Sequence, residues 1–215
     1  MMDSDELNLL LHRLRSWLPI VLVLVALAVL FHFRSHFHFG HFGAPAIEDA
    51  QPGQIISEDH FSPPEDLEHL DLYRLEHARL SMDIAMYSFT DKPLADELIK
   101  LAREGVEIRI YRDREQYDNE QRNAAQHHDL STTDMFRGEH NIQVRVKASG
   151  RRDLMHLKAY LIDGTLLRDG SANWSPAGEK VQDNNARFTN NPVEIRFFND
   201  DFEQMWARSD NEVVQ

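Results

Sequence analysis

Two strand-like segments with a helix-like segment between them constrain this chain most. Ser81–Thr90 reads SMDIAMYSFT, with Met82, Ile84 and Met86 alternating against Ala85, Tyr87 and Phe89. A period of two is the mark of a strand, and the scarcity of charge predicts burial on both faces. Asp91 and Pro93 then open a helix lined on one side by Leu94, Leu98 and Leu101, and Gly105 stands where a C′ residue belongs. Val106–Tyr111 (VEIRIY) is a second strand. Strand, helix and strand in this order imply a parallel pair with a right-handed crossover.

The same reading places further strands at Asn141–Lys147, Leu154–Asp163 and Val193–Phe198. Ser62-Pro63-Pro64-Glu65 has the form of a capping box with proline in the first turn. A helix is therefore expected from Ser62, carrying Leu67, Leu70, Leu75 and Ala78. A polar helix around Asn119–Leu130 puts His127 and His128 on a solvated face. A closing helix capped near Asn199 turns Phe202, Met205 and Trp206 to the core. The expected fold class is α/β, a mixed, largely parallel β-sheet flanked by helices. It occupies residues 61–212, after a stub at 1–16, an apolar segment at 17–33 and a linker at 34–60.

Trp17–Phe31 (WLPIVLVLVALAVLF) is 15 residues without a charge. As a helix it spans roughly 22 Å, and His32 and Phe33 bring it to the lower limit for a hydrocarbon core of about 30 Å. Trp17–Phe33 is read as a single-pass transmembrane helix. A cleaved signal peptide, with Ala44-Pro45-Ala46 as the cleavage site and secretion as the outcome, is the alternative. The acidic start Asp3-Ser4-Asp5-Glu6 and the distance from Phe31 to that site speak against it. Arg13 and Arg15 precede the segment and Arg34 follows, which places the body on the extracytoplasmic side, in a bacterium the periplasm. His32, His36, His38 and His41 alternate with phenylalanine and are read as an interfacial collar rather than metal ligands.

The chain of 215 residues has a net charge of −13 and no cysteine. Without cysteine there is no disulfide scaffold, Cys-ligated zinc or thiol nucleophile. All of the charge falls on residues 47–215, which argues against a general polyanion binder. Residues 144–168 depart from this balance: Arg145, Lys147, Arg151, Arg152, Lys158 and Arg168 against Asp153 and Asp163 leave +4. A basic rim there, with Arg151 and Arg152 touching substrate, would suit a polyanion reaching a narrow groove.

The chemistry concentrates in one constellation. His156-Leu157-Lys158 is followed by Asp163 and then by Gly170-Ser171-Ala172-Asn173. In a strand His156 and Lys158 share a face, and Gly170 allows a close backbone approach that lets Ser171 and Asn173 present their donors. Six specified residues at fixed spacing arise by chance on the order of once in a hundred thousand such chains or more rarely. Imidazole is a good nucleophile near neutral pH. Lys158, Ser171 and Asn173 can surround the non-bridging oxygens of a phosphodiester. No metal-ligand set and no cofactor are needed. A two-step reaction also needs an acid for the leaving oxygen, and one motif per chain supplies it only if a two-fold homodimer brings two His156 side chains together. A serine hydrolase using Ser171 is disfavoured, because G-x-S-x-G is missing around it.

This H-x-K-x4-D-x6-G-S-x-N pattern resembles the motif of the phospholipase D superfamily, in its branch with a single such motif. Ser81–Thr90, the Asp91–Gly105 helix and Val106–Asp113 resemble that family's first βαβ unit, and the likeness covers about residues 61–208. It implies a homodimer with one shared site, acting on phospholipid or nucleic acid. His156 would be nucleophile in one subunit and general acid in the other, with Lys158, Ser171 and Asn173 as phosphate ligands. Asp163 would orient the imidazole through a hydrogen bond. One position departs: relatives carry Glu before Asn in the strand after G-S-x-N, and Asn184-Asn185 stand here. Loss of that carboxylate supports the alternative of a catalytically weak, membrane-tethered module that binds phosphate or nucleic acid. The missing cysteines also part the chain from the zinc-bearing cardiolipin-hydrolase branch and favour the bacterial one.

Overall fold

A computed structural model describes residues 47, 50–148 and 153–215. The expected Trp17–Phe33 segment, the His/Phe collar and Arg151 and Arg152 lie outside the described residues. No helix among the described residues is long and apolar enough to cross a membrane.

Among the described residues one sheet holds eight strands: β1 (Ser57–Ser62), β2 (Ser81–Met86), β3 (Glu107–Arg112), β4 (Ile142–Val146), β5 (Lys158–Ile162), β6 (Leu166–Gly170), β7 (Asn184–Thr189) and β8 (Glu212–Val213). They lie in the order β1-β7-β6-β5-β2-β3-β4-β8. The helices are α1 (Leu67–Leu75), α2 (Lys92–Arg103), α3 (Arg114–His127), α4 (Thr132–Met135), α5 (Pro176–Lys180) and α6 (Pro192–Trp206).

The β2-α2-β3 unit forms as its sequence predicts. Asp91 caps α2 by accepting from Leu94 N, Gly105 follows its end at φ 103°, and β2 and β3 run parallel. Leu94, Leu98 and Leu101 are fully buried, each contributing about 1.5–3 kcal/mol of hydrophobic stabilisation. Strand alternation sorts the core into two layers. Met82, Ile84, Met86, Ile108, Ile110, Tyr160 and Ile162 join one apolar cluster with α1 and α2. Ala85 and Tyr111 point the other way, to Phe202, Met205 and Trp206 of α6.

The sheet is mixed, but it is not largely parallel. Only β2–β3 and β3–β4 run parallel; β4–β8 and every pair from β2 to the β1 edge run antiparallel. The main cause is a tight hairpin. Asp163 and Gly164 both have positive φ, 51° and 65°, and Thr165 N donates to Ile162 O at 2.9 Å. That three-residue reversal, Asp163 to Thr165 between the paired Ile162 and Leu166, can only return β6 antiparallel to β5.

Four boundaries also differ from expectation. The first helix starts at Leu67, capped by Asp66 rather than Ser62. Ser62 ends β1, and its hydroxyl donates to Gln182 O. Residues 154–157 are not strand, so β5 begins at Lys158. The polar helix starts at Arg114, because Asp113 caps it. Val193–Phe198 is the start of α6 and not a strand: Asn191 caps it by accepting from Val193 N, and Pro192 takes the first turn. Helix geometry turns Phe202, Met205 and Trp206 inward and leaves Val193 and Phe197 at 50% and 64% exposure.

Candidate active site

Four strand ends meet at one side of the sheet. Lys158, which opens β5, pairs with Met86 at the end of β2. The β5–β6 register runs through Tyr160↔Arg168, and two residues further it sets Gly170 opposite Lys158. Gly170 in turn pairs with Ala186 of β7. His156, Lys158, Ser171, Asn173 and Asn184 therefore gather at this end.

His156 lies in the extended lead-in to β5, held by two backbone anchors. Tyr87 N donates to Leu157 O at 2.8 Å, and Met155 N donates to the Asp113 carboxylate at 3.0 Å. The ring lies against Tyr87 with centroids 4.3 Å apart. Lys158 Nζ is 3.1 Å from His156 Nδ1 and 3.2 Å from Nε2, and it donates to His156 O at 2.8 Å. It also stands 4.6 Å from the Tyr87 ring centroid, a cation–π contact. Gln116 Nε2 holds the Tyr87 hydroxyl at 3.1 Å. His156 is exposed while Lys158 is buried.

Burial and the neighbouring ammonium lower the His156 pKa below its ordinary value, and Asp113 opposes them. Burial pushes Lys158 down to about 8, again against Asp113. Asp113 and Tyr87 were not among the residues the motif selects. Asp113 carried one local signal, a carboxylate between a strand and a polar helix, which is the position of an N-cap.

The G-S-x-N turn is fixed from behind. Gly170 has φ 150°, and a Cβ there would lie 2.3 Å from Asn185 O, so only glycine fits. Ser171 N and Ala172 N donate to Asn185 O at 3.1 and 3.2 Å. Ser171 Oγ donates to Asn184 Oδ1 at 2.9 Å, and Asn184 Nδ2 donates to Gly178 O at 2.8 Å. Asn173 Oδ1 accepts from Ser88 N at 3.2 Å, which leaves its amide donors for a ligand. Below the turn Arg168 is fully buried and donates to Lys158 O at 2.9 Å, Ala172 O at 3.1 Å and Asp71 Oδ2 at 3.2 Å. One guanidinium thus ties the lysine strand to the G-S-x-N turn.

One expectation is not met. Asp163 sits at the far end of β5 from His156. Its carboxylate accepts from Arg79 N at 2.9 Å, Leu80 N at 2.8 Å and Ser81 N at 2.9 Å, so it holds the start of β2 and not the imidazole. In the basic segment the described cations other than Lys158 are committed elsewhere. Arg168 is internal, Lys147 pairs with Asp153 at 2.7 Å, and Arg145 lies 4.3 Å from the Trp206 ring centroid. His127 and His128 are exposed, as expected.

A family model described as cardiolipin synthase, PLD-like domain matches residues 72–206. The mitochondrial cardiolipin hydrolase of Chlamydomonas reinhardtii is 30% identical over 132 residues, 61% of this chain and 54% of that protein. The mitochondrial cardiolipin hydrolase of Danio rerio is 28% identical over 142 residues, 63% of this chain and 56% of that protein. The chain therefore spans little more than half the length of these curated relatives. Among solved structures, NucT from Helicobacter pylori superposes with a TM-score of 0.62 at 22% identity, covering 71% of this chain and 96% of that one. Nuc from Salmonella typhimurium, a phospholipase D family member, gives 0.65 at 20% identity, covering 75% and 99%. The two share the fold.

Proposed function

Because the chain belongs to the family of phospholipase D-like domains, we propose that it hydrolyses phosphodiesters without a metal, through a phosphohistidine intermediate at a site shared by two copies. The observation that carries this reading is the contact of an exposed imidazole with the Lys158 ammonium at 3.1 Å, beside a turn that offers Asn173 donors. The lowered His156 pKa favours the neutral ring, with a lone pair free for attack, in the copy that acts as nucleophile, while the copy that acts as acid carries the proton. A ring nitrogen of one His156 bonds to phosphorus as the bond to the leaving oxygen breaks. The His156 of the second copy gives its proton to that oxygen. Water then attacks phosphorus, passes its proton to the second imidazole, and the phosphorus–nitrogen bond breaks. Lys158 and Asn173 hold the non-bridging oxygens throughout, Ser171 joins them once its hydroxyl turns from Asn184 Oδ1 to the substrate, and Arg151 and Arg152 are outer contacts to a polyanionic substrate. The two-copy site is supported by the exposure of His156 and by Leu154 and Leu157 beside it, each 38% exposed.

The substrate class is a phospholipid or a nucleic acid, and the Trp17–Phe33 segment is proposed to tether the domain to a membrane on its extracytoplasmic side. His156→Ala is expected to reduce turnover of bis-p-nitrophenyl phosphate by roughly 10⁴-fold, since it removes both nucleophile and acid. Undiminished turnover by that variant refutes the assignment. The initial rate in EDTA, measured well below the unfolding temperature, is expected to match the rate without it. Single-stranded DNA, RNA, cardiolipin and phosphatidylcholine, compared as substrates, separate the classes. Binding of these without turnover by the unaltered chain would favour a phosphate-binding module, the reading that Asn184 in place of Glu supports.

A further inference from the structure

Behind the G-S-x-N turn lies a second group of carboxylates, which the reaction does not use. Glu68 of α1, Asp91 at the cap of α2 and Glu179 of α5 each bring an oxygen within 4.8 Å of the others. Asp91 and Glu179 are fully buried, at 0% exposure. Neither Glu179 oxygen has a hydrogen-bond partner, nor does Asp91 Oδ2. The group that Glu179 meets is the Asp71 carboxyl, another acceptor. Asp71 is already occupied by Tyr160 OH at 2.9 Å, Trp174 Nε1 at 2.8 Å and Arg168 at 3.2 Å. The other cation at hand is Lys180, 2.7 Å from Glu68 on the solvent side. Buried acceptors that face acceptors are costly, and positive charge between them removes the cost.

We propose that Glu68, Asp91 and Glu179 bind a hard divalent cation of the Ca2+ or Mg2+ type, as a structural site distinct from the reacting atoms. An all-carboxylate donor set favours such ions over the softer transition metals. The spacing fits one ion, since oxygens on opposite sides of Ca2+ stand about 5 Å apart. Protons are the competitors: burial, with Glu68 beside Asp91 and Asp71 beside Glu179, pushes Asp91 up to about 7 and Glu179 up to about 11 against the opposing charges of Lys180 and Arg168.

The location gives the site its consequence. Trp174 O accepts from Thr90 N at 2.8 Å and Asp91 N at 3.1 Å, and α5 supplies Gly178 O to Asn184. A cation there would clamp α1, the start of α2 and α5 against the chain that carries Ser171 and Asn173.

The test is thermal unfolding of the full chain in detergent, stripped with EDTA and returned to CaCl2, MgCl2 or MnCl2. At a hundredfold excess over Kd the Tm is expected to rise by about 5–10 °C, with one ion bound per chain by calorimetric titration. Glu179→Gln, close in shape, and Asp91→Asn, which still caps α2, are each expected to abolish the rise. His156→Ala is expected to show it in full, so a failure of the phosphodiesterase reading leaves this result standing. No shift with any of the three salts overturns the site, as does an equal shift in both carboxylate variants. Stabilisation by Glu179→Gln with no response to salt also overturns it, and would mean that protons alone fill the cluster.

Discussion

Asp113 acts on two neighbours at once, because its carboxylate meets Met155 N in the extended segment that leads through His156 to Lys158. It favours the charged form of each, against the burial that favours the neutral form. Lys158 must be charged to hold phosphate, so kcat/KM is expected to fall as pH rises through its pKa of about 8. Asp113→Asn keeps an oxygen for Glu115 N and Gln116 N but removes the negative charge. Without that charge the neutral amine gains, and the alkaline limb of kcat/KM is expected to move to lower pH. A role confined to capping α3 and anchoring Met155 N would lower activity at every pH without moving the limb. At this scale the gathering of His156, Lys158, Ser171 and Asn173 at one end of the sheet was legible, because their spacing is local and fixed. Asp113 and Tyr87 were not, since the register of β2 and β3 against β5 brings them in and no spacing along the chain encodes it.

The elements divide by where their signals lie. The β2-α2-β3 unit carried its whole specification within Ser81–Tyr111: alternation, cap, apolar stripe and terminal glycine. α6 did not, because Val193–Phe198 is as apolar as a strand, and the Asn191-Pro192 cap decided the matter. The Asp163-Gly164 pair was itself a hairpin signal, one that would have predicted β6 and its antiparallel pairing with β5. Asp163 then serves as an element-scale residue, since its three backbone donors fasten β5 to the start of β2. Asp163→Ala orphans these groups and removes a residue suited to positive φ. It is expected to destabilise the protein by about 2–3 kcal/mol, read as a lower midpoint in denaturant. The kcat per folded molecule is expected to be unchanged, whereas an orienting role toward His156 would reduce it sharply.

For the molecule as a whole, the net charge of −13 and the site do not conflict. Lys158 stands buried at the strand ends, and most cations near it in sequence are spent on internal contacts. A shared site requires two chains, so sedimentation of the full chain in density-matched detergent is expected to give twice the chain mass. An active protein that stays monomeric at assay concentrations would refute the shared site. The pairing of β1 adds a last point. Ser62 lies opposite Asn184 at the His156 end of the sheet, and Ser57 lies opposite Thr189 at the other. Five strand steps, about 17 Å, therefore separate the entry of the chain into the sheet from the end where His156 lies. Protein immobilised on a bead through the segment before Ser57 is expected to present its reactive end to the surrounding liquid. Such a preparation is expected to keep the free chain's rate on any large substrate that the free chain cleaves, for which a reactive end turned to the bead would be out of reach.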